Sequence, residues 1–378
     1  MMGITGSVLL ALALAGCLYT LVSVWLVGGY RAAPPGAQAG TRPAVSILKP
    51  LHGAEPRLRA NLESFVAQDY DGDVQIIFGL SDPGDPARPV VEALQAAHPA
   101  RDITLVVDDS RRGTNAKMAN VITIAHYIRH PLVVLADSDV AAPPDLLTRL
   151  ADTLADPKIG IASCLHTGRG DAGFWSVLGA MDLSYRFLPS VAVGIASGLA
   201  SPCLGPVMAL RRETLEAIGG FSAFADVLAD DYALGAAVIA HGLRSVVPRF
   251  TVVHSGGEAT LHALVRHELR WTRTIYGIDP VGFAGSVVTH CLPLAVIGGL
   301  FCGFTGASQA VIGLALVARI GLKLRVDAVS GCVSGPLHLL LLRDALSFAV
   351  FFMTFFVNKV DWRGRRYAVS RDGRLLVE

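Results

Sequence analysis

Long apolar segments at both ends of the chain enclose a middle region of mixed character. Residues 1–30 contain no charged side chain, and Thr5 to Val27 is long enough for a helix to cross a hydrocarbon core of about 30 Å. A cleaved signal peptide would have a basic start and a shorter apolar core. The pattern therefore predicts an N-terminal transmembrane helix within residues 1–30.

Basic residues follow this helix but do not precede it; they are Arg31, Arg42, Lys49, Arg57 and Arg59. The positive-inside rule then places the following domain in the cytoplasm. The Ala-, Gly- and Arg-rich composition is typical of a GC-rich bacterial genome. We therefore expect a multi-pass protein of the bacterial inner membrane, with its middle region on the cytoplasmic side.

The apolar pattern returns after Pro280. Pro280 to Ala318 contains no Asp, Glu, Lys or Arg, which predicts two spans broken near residues 303–308. Pro336 to Val357 is a third candidate and is apolar except for Arg343 and Asp344. Three full crossings would put the basic tail outside, against the positive-inside rule, so we expect one of the three to be re-entrant or interfacial.

Strand and helix patterns alternate after a Pro- and Gly-rich linker at residues 31–44. The predicted strands are Val45 to Leu48, Val74 to Leu80, Ile103 to Val107 and Leu132 to Ala136. Such alternation predicts an α/β fold with a mostly parallel sheet, which binds ligands at the carboxyl ends of its strands. The predicted divisions are a domain at 31–255, an interface helix at 256–280, membrane segments at 281–357 and a basic tail at 358–378.

Composition supports a membrane protein and excludes other classes. Only 17% of the 378 residues are charged, against roughly 25% in an ordinary soluble domain. The net charge of +1 provides no basic field for nucleic acid. The six cysteines form no CxxC pair, so we expect neither a disulfide framework nor a zinc site.

The strongest chemical signal is the pair Asp137 and Asp139 directly after the strand Leu132 to Ala136. Hard divalent cations bind oxygen ligands and often bridge carboxylates to substrate phosphates. The pair therefore favours Mg²⁺ or Mn²⁺ with a nucleotide diphosphate; the alternative is a turn with two solvated acids. Asp82, at the end of an earlier strand, is placed to accept hydrogen bonds from a nucleobase or ribose.

Two helix starts carry further candidates. Lys117 lies where a loop enters a helix, and a lysine beside exposed amide groups suits phosphate, although Asn115 there is also a typical N-cap. Asp230 and Asp231 begin a later helix, where one carboxylate facing a cleft would serve as a general base. The helix macrodipole alone also favours acids at that position.

The segment 266–276 predicts a helix with two candidate binding residues. Arg270 offers a fork of donors to a diphosphate, and Trp271 offers a flat apolar surface to a sugar or lipid. Without a ligand, this helix would be an amphipathic segment at the membrane surface. Gly168 to Gly173 matches GxGxxG but lacks the later acidic residue of a dinucleotide site, so we interpret these glycines as a loop beside the active site.

Taken in order, these motifs resemble those of the ceramide glucosyltransferases, glycosyltransferase family 21. They are KPLHG at 49–53, Asp82, GxNxKxxN at 113–120, Asp137, Asp231 and HxxRW at 267–271. The resemblance runs from about residue 45 to residue 367. The segments LKPLHGAEP, LADDYALG and RHELRWTRTI look most like the bacterial members associated with hopanoid biosynthesis.

The resemblance implies a GT-A nucleotide-diphospho-sugar transferase fold and a hexosyltransferase that inverts configuration. It places Asp82 on the uridine of a UDP-sugar, Asp137 at the diphosphate and metal, and Asp231 as the base. It also implies that Arg270 and Trp271 close the site.

Three positions depart from the family pattern. His267 stands where the family has Gln or Arg, and Asp230 stands where eukaryotic members have Glu. Asp139 stands where eukaryotic members have Gly, so its role as a metal ligand rests on the chemistry of the D-x-D pair alone.

The expected acceptor is a membrane lipid, with a hopanoid polyol ahead of ceramide, and the expected sugar is N-acetylglucosamine or glucose. A processive polysaccharide synthase would need a larger membrane bundle than about three C-terminal segments. A non-catalytic membrane scaffold would be marked by loss of Asp137 or Asp231, and both are present. We expect the apolar stretch Phe174 to Leu199 to lie at the membrane interface and to admit the lipid.

Overall fold

The structure, a computed structural model, describes residues 2–31, 42–110, 112–200, 203–357, 359–362, 365–369 and 375–377. The strands are β1 (Val45–Pro50), β2 (Val74–Leu80), β3 (Asp102–Val107), β4 (Leu132–Ala136), β5 (Val140–Ala141), β6 (Ile159–Ser163), β7 (Leu165–Gly170), β8 (Val207–Arg211), β9 (Arg244–Val246), β10 (Thr251–Gly256), β11 (Lys359–Trp362), β12 (Arg365–Val369) and β13 (Leu375–Val377).

The helices are α1 (Met2–Val27), α2 (Leu58–Val66), α3 (Arg88–Ala97), α4 (Ala116–Ala125), α5 (Leu146–Leu154), α6 (Phe174–Asp182), α7 (Leu188–Ala196), α8 (Arg212–Ala217), α9 (Asp230–Ala240), α10 (Leu261–Ile278), α11 (Pro280–Gly285), α12 (Cys291–Phe301), α13 (Gly306–Ser330) and α14 (Leu340–Thr354). A π-helical segment, Leu183–Phe187, joins α6 to α7.

A mixed sheet carries the middle of the chain, with strand order β3-β2-β1-β4-β8-β6-β9. Strand β1 is parallel to β2 and β4, β2 is parallel to β3, and β8 runs antiparallel to β4 and β6. The carboxyl ends of β1, β2 and β4 therefore meet at one edge of the sheet. The predicted fold class is confirmed, and the predicted bounds of the strands over 74–80 and 132–136 match those observed.

Alternating side chains of β1 reach two separate cores, because both faces of the sheet are covered. Ile47 belongs to a core with Leu62 and Phe65 of α2, and Leu48 belongs to a core with Met118 of α4. This two-sided burial explains the nearly continuous apolar runs in the parallel strands.

A second, small sheet has the strand order β5-β10-β7. Strand β10 pairs with β5 so that His254 lies opposite Val140, next to Asp139. The expected loop at Gly168 to Gly173 begins instead as strand β7, so that interpretation is corrected. A Cβ on Gly168 would overlap Cα of Ala180, so bare glycine lets α6 pack directly on the strand.

The protein is a membrane protein. Among the described residues, four helical segments are long and apolar enough to span a membrane: Gly3–Tyr30, Pro280–Phe301, Gly306–Ser330 and Leu337–Thr354. The break expected near 303–308 occurs between α12 and α13. Segment 280–301 is the least regular, because a 3₁₀ turn separates α11 from α12.

Helix α13 continues well beyond Ala318, where the uncharged run ends. Its first charged residue, Arg319, is buried and makes two hydrogen bonds to Asp344 of α14, at 2.8 and 2.6 Å. Lys323 is paired within the helix with Asp327, at 2.6 Å. The helix can therefore bury charged residues because each has a partner.

The remaining expected divisions lie as follows. The linker is mostly outside the described residues, and the interface helix corresponds to α10. The end of the chain includes the three-stranded antiparallel sheet β11-β12-β13. The stretch 174–199 forms α6, the π-helical segment and α7, and Tyr19 of α1 donates a hydrogen bond to Ser190 of α7 at 3.2 Å.

A buried ionic joint, made of Arg343, Glu268, Asp182, Arg186 and Ser347, connects α14 to α6 and α10. Arg343 of α14 is 1% exposed and donates to both carboxylate oxygens of Glu268 on α10, at 2.6 and 2.9 Å. Asp182 of α6 lies 3.6 Å from Arg343 and accepts from Arg186 and Ser347. Helices α6, α10 and α14 are thus held together by paired charges.

Replacing Arg343 with Met should destabilise the protein by about 3–5 kcal/mol, because Glu268 would remain buried without a counter-charge. Thermal unfolding in detergent, followed by tryptophan fluorescence, would measure the loss as a lower Tm. The matched control is Arg212→Met, which removes an exposed pair with Glu216 and should cost about 0.5 kcal/mol. Equal Tm values for the two variants would contradict a stabilising role for the joint.

Candidate active site

The loops that precede α4 and α9 are tied together by Asn115. Its Oδ1 accepts hydrogen bonds from the backbone N of Lys117 and Met118, both at 3.0 Å, which caps α4. Its Nδ2 donates to the carbonyl oxygen of Val227 at 2.7 Å. The expected N-cap is therefore present, and the bond to Val227 connects the start of α4 to the segment that precedes α9.

Lys117 joins two of the candidate acids. Its Nζ lies 2.8 Å from Oδ1 of Asp137 and 3.4 Å from Oδ2 of Asp230. Burial opposes the charged ammonium, but Asp137 and Asp230 together raise the pKa of Lys117 well above its usual value, so it is a fixed cation. The structure thus brings together three candidates that are far apart in the sequence.

Asp231 lies beside this group and against Gly205. A Cβ at Gly205 would lie 3.1 Å from Oδ2 of Asp231, so the glycine leaves room for the carboxylate. The neighbouring residue, Pro206, accepts a hydrogen bond from the backbone N of Asp137 at 3.0 Å. Burial, with the adjacent Asp230, raises the pKa of Asp231 to about 6, which makes it a stronger base than an exposed carboxylate.

Asp139 turns toward the second sheet. Its Oδ2 lies 3.2 Å from Nε2 of His254, while its Oδ1 is buried without a hydrogen-bond partner. Burial opposes its ionisation, but the nearby His254 lowers the pKa of Asp139 to about 2. Glu55, whose Oε2 is likewise buried and unpartnered, has its pKa raised to about 7 by burial and by Asp139.

These oxygens test whether a divalent cation fits the site. Unpaired buried carboxylate oxygens on Asp139 and Glu55, close to Asp137, are the type of ligand that Mg²⁺ and Mn²⁺ bind. Within the described parts of the chain, however, no three His, Cys, Asp or Glu side chains form a metal-binding group by themselves. A cation would therefore also need oxygens from a bound diphosphate.

Lys49 is a residue of the site whose contacts the sequence did not indicate. It is fully buried at the end of β1, its Nζ donates to the carbonyl oxygen of Asp137 at 2.8 Å, and it lies 3.5 Å from the ring centre of Phe65. Burial lowers its pKa to about 7. The available signal was a lysine directly after an apolar strand.

The other sequence candidates are Asp82, Arg270 and Trp271. Asp82 is exposed just after β2, where its Oδ1 accepts a hydrogen bond from the backbone N of Gly84. Arg270 and Trp271 are half-buried on α10. The Trp271 ring centre lies 6.4 Å from that of His254, which connects α10 to Asp139.

His267 occupies the position that departs from the family pattern. Its Nδ1 is hydrogen-bonded to Glu258, and its ring lies 4.4 Å from that of Trp271 in an edge-on arrangement. Neither Glu258 nor His254 was predicted from the sequence, because single acids and histidines near the end of a strand are common and have no distinctive spacing.

Comparison with known proteins agrees with this architecture. The family model described as glycosyl transferase family 21 matches residues 8–375. Ceramide glucosyltransferase 1 of Caenorhabditis elegans is 22% identical over 96% of this chain and 81% of its own length. An N-acetylglucosaminyltransferase of Sinorhizobium fredii is 24% identical over 65% of this chain and 60% of its own length.

Among solved structures, a mannosyltransferase from Pyrobaculum calidifontis in complex with GDP-Man and Mn²⁺ is similar to the chain. It has a TM-score of 0.48 and 21% identity, and the alignment covers 92% of this chain and 99% of that one. This likeness is too distant to bear on donor, metal or mechanism. The family match covers nearly the whole length of the chain. The chain therefore belongs to glycosyl transferase family 21 and is a hexosyltransferase.

Proposed function

We propose that the protein transfers a sugar from a UDP-sugar to a hydroxyl group of a membrane lipid, with inversion at the anomeric carbon. The observation that carries this proposal is the convergence of Lys117, Asp137 and Asp230, with Asp231 alongside, at the carboxyl edge of the sheet. The ionic joint to α14 keeps this edge close to the membrane helices. Such a placement suits a lipid acceptor, whereas a water-soluble acceptor would not require it.

The donor diphosphate would bind at Asp137 and Asp139 with Mg²⁺ or Mn²⁺. A divalent cation there supplies Lewis-acid stabilisation of the charge that develops on the departing UDP. The ammonium of Lys117 has three donors, so it can contact a phosphate oxygen while it remains paired with Asp137. Asp82 would bind the uridine, and Arg270 with Trp271 would close the site over the donor.

Asp231 would act as the general base. It removes the proton of the acceptor hydroxyl as the oxygen attacks the anomeric carbon, and UDP leaves from the opposite face. No covalent intermediate forms, and the configuration inverts. Its pKa of about 6 supports this role, because the carboxylate is ionised at pH 7 and still basic enough to take a proton.

For the acceptor we propose a polyhydroxylated hopanoid, such as bacteriohopanetetrol, with N-acetylglucosamine as the sugar. Support comes from the motif resemblance and from the name of the Sinorhizobium relative. The name of the Caenorhabditis relative favours glucosylation of ceramide as the second candidate. The basic residues that follow α1 support an inner-membrane location with the catalytic domain in the cytoplasm.

Asp231→Asn should abolish transfer and leave UDP-sugar binding within about twofold, since the amide keeps the shape but cannot accept the proton. Transfer is measured by product mass and binding by calorimetry. Asp230→Asn is the matched control and should reduce the rate of transfer less than Asp231→Asn does. Normal turnover by folded Asp231→Asn protein would refute the base assignment.

The same assignment predicts the pH profile. Because the base must be ionised, wild-type kcat/KM should fall as pH drops below about 6, the pKa of Asp231. Asp230→Asn removes a neighbouring negative charge, so its acid limb should move to lower pH. An unchanged limb would assign the titration to another group.

Chelation tests the metal. EDTA should abolish wild-type activity, and Mg²⁺ or Mn²⁺ should restore it, because a bound cation would offset the negative charge of the diphosphate and of the carboxylates. Asp137→Ala should weaken UDP-sugar binding and eliminate activity. Asp156→Ala removes an exposed pair with Arg244 and a hydrogen bond from the backbone N of Lys158; it is the control and should behave as wild type. Full activity in chelator would exclude a metal role for Asp137 and Asp139.

The acceptor is tested by incubating detergent-solubilised enzyme with bacteriohopanetetrol or ceramide and with UDP-N-acetylglucosamine or UDP-glucose. Mass spectrometry should find N-acetylglucosaminyl hopanoid as the main product. Glucosylceramide as the only product would replace the hopanoid assignment with the second candidate. No lipid product at all would favour a non-catalytic scaffold.

A further inference from the structure

A pocket lies between α6, β10 and α10, on the side of the active site where Asp139 meets His254. Its lining includes Gly179 of α6, His254 of β10, and Leu264, His267 and Trp271 of α10. Gly179 presents no side chain, so its part of the wall is backbone. A Cβ there would lie 3.0 Å from Cδ1 of Leu264.

The carboxylates that line this pocket already have partners. Asp182 accepts from Arg186 at 2.8 and 2.6 Å, Glu268 accepts from Arg343, and Glu258 is bonded to His267. A free cation would have to compete with these partners. The lining therefore favours an uncharged ligand.

Two imidazole nitrogens in this lining have no partner. Nδ1 of His254 and Nε2 of His267 are buried without a hydrogen bond, and the His254 side chain is only 10% exposed. Buried polar atoms are nearly always paired in folded proteins, since an unpaired one loses its hydrogen bonds to water without replacement. A ligand with hydroxyl groups would pair both.

The geometry around Trp271 suits a carbon skeleton that carries hydroxyls. Its ring centre lies 4.4 Å from that of His267 and 6.4 Å from that of His254, so both polar groups flank one apolar surface. Glu258 occupies Nδ1 of His267, so Nε2 on the other edge of the ring is the atom that can hydrogen-bond a hydroxyl, which can either donate or accept.

The pocket and the proposed base are connected to different members of the D-x-D pair. Asp137 contacts Lys117, which leads to Asp230 and Asp231, whereas Asp139 contacts His254, which leads to Trp271 and the pocket. A hydroxyl in this pocket is therefore not the one that Asp231 deprotonates. The ligand must have at least two hydroxyls.

We propose that this pocket binds a second hydroxyl of the lipid acceptor, next to the one that receives the sugar, and so selects polyol lipids over lipids with a single hydroxyl. The proposal rests on the proposed lipid glycosyl transfer. It assigns His267 and His254 to acceptor recognition, with Trp271 as the apolar surface between them.

The test compares two synthetic lipids that differ by one hydroxyl, 1-O-hexadecylglycerol and 3-hexadecyloxypropan-1-ol. Wild-type kcat/KM should be about tenfold higher for the diol, the equivalent of about 1.4 kcal/mol or one net hydrogen bond. His267→Phe should reduce the ratio to about one, and His267→Gln, which can still hydrogen-bond, should keep part of it. UDP-sugar affinity should change by less than about twofold.

Two further variants guard the interpretation. His262→Phe makes the same substitution at an exposed position of α10 and should leave the ratio unchanged. Gly179→Ala narrows the pocket from the α6 side without altering either histidine, so it should also lower the ratio of the two kcat/KM values. This variant provides the test if His267→Phe fails to fold. A diol preference that is the same in His267→Phe and Gly179→Ala as in the wild type would overturn the proposal.

Tryptophan fluorescence provides a binding measurement that needs no turnover, with Trp271→Phe identifying the responding residue. Preferential diol binding that depends on His267, without transfer, would support the pocket and count against the proposed function. Transfer to both lipids at equal rates would overturn the pocket alone. The absence of both binding and transfer would overturn the pocket and the proposed function together.

Discussion

A carboxylate buried away from water must be paired or neutralised. Two buried cations, Lys117 and Arg343, pair the carboxylates that join the main parts of this structure. Lys117 lies between Asp137 and Asp230 and so determines how α9 approaches the sheet. Arg343 lies against Glu268 and Asp182 and so determines how α14 meets α10 and α6. The active-site edge and the membrane attachment are built by the same physical rule.

This arrangement makes the catalytic edge continuous with the membrane helices. Helix α10 is held by Arg343 through Glu268, and the same helix carries Trp271 toward His254 and Asp139. Helix α14 is thus connected to Asp139 by a chain of side-chain contacts through Glu268, Trp271 and His254.

The pairing also explains which parts of the site the sequence could predict. The D-x-D pair follows the strand Leu132–Ala136, whose bounds can be predicted from its run of apolar residues. The sequence alone therefore places Asp137 and Asp139 at a sheet edge. Lys49 also follows an apolar run, but a single lysine there does not indicate a site, and His254 has no distinctive spacing. Their importance comes from burial beside Asp137 and Asp139, and burial of a single polar residue depends on the whole fold.

Local periodicity by itself determined the strands β1 to β4 and the four apolar segments, because each depends only on neighbouring positions along the chain. It also indicated two unexplained charges, Arg343 and Asp344, inside an apolar segment. Only the tertiary structure decided that Arg343 pairs with Glu268 and Asp344 with Arg319. Contacts between residues far apart in sequence depend on the path of the chain through space, which no local pattern encodes.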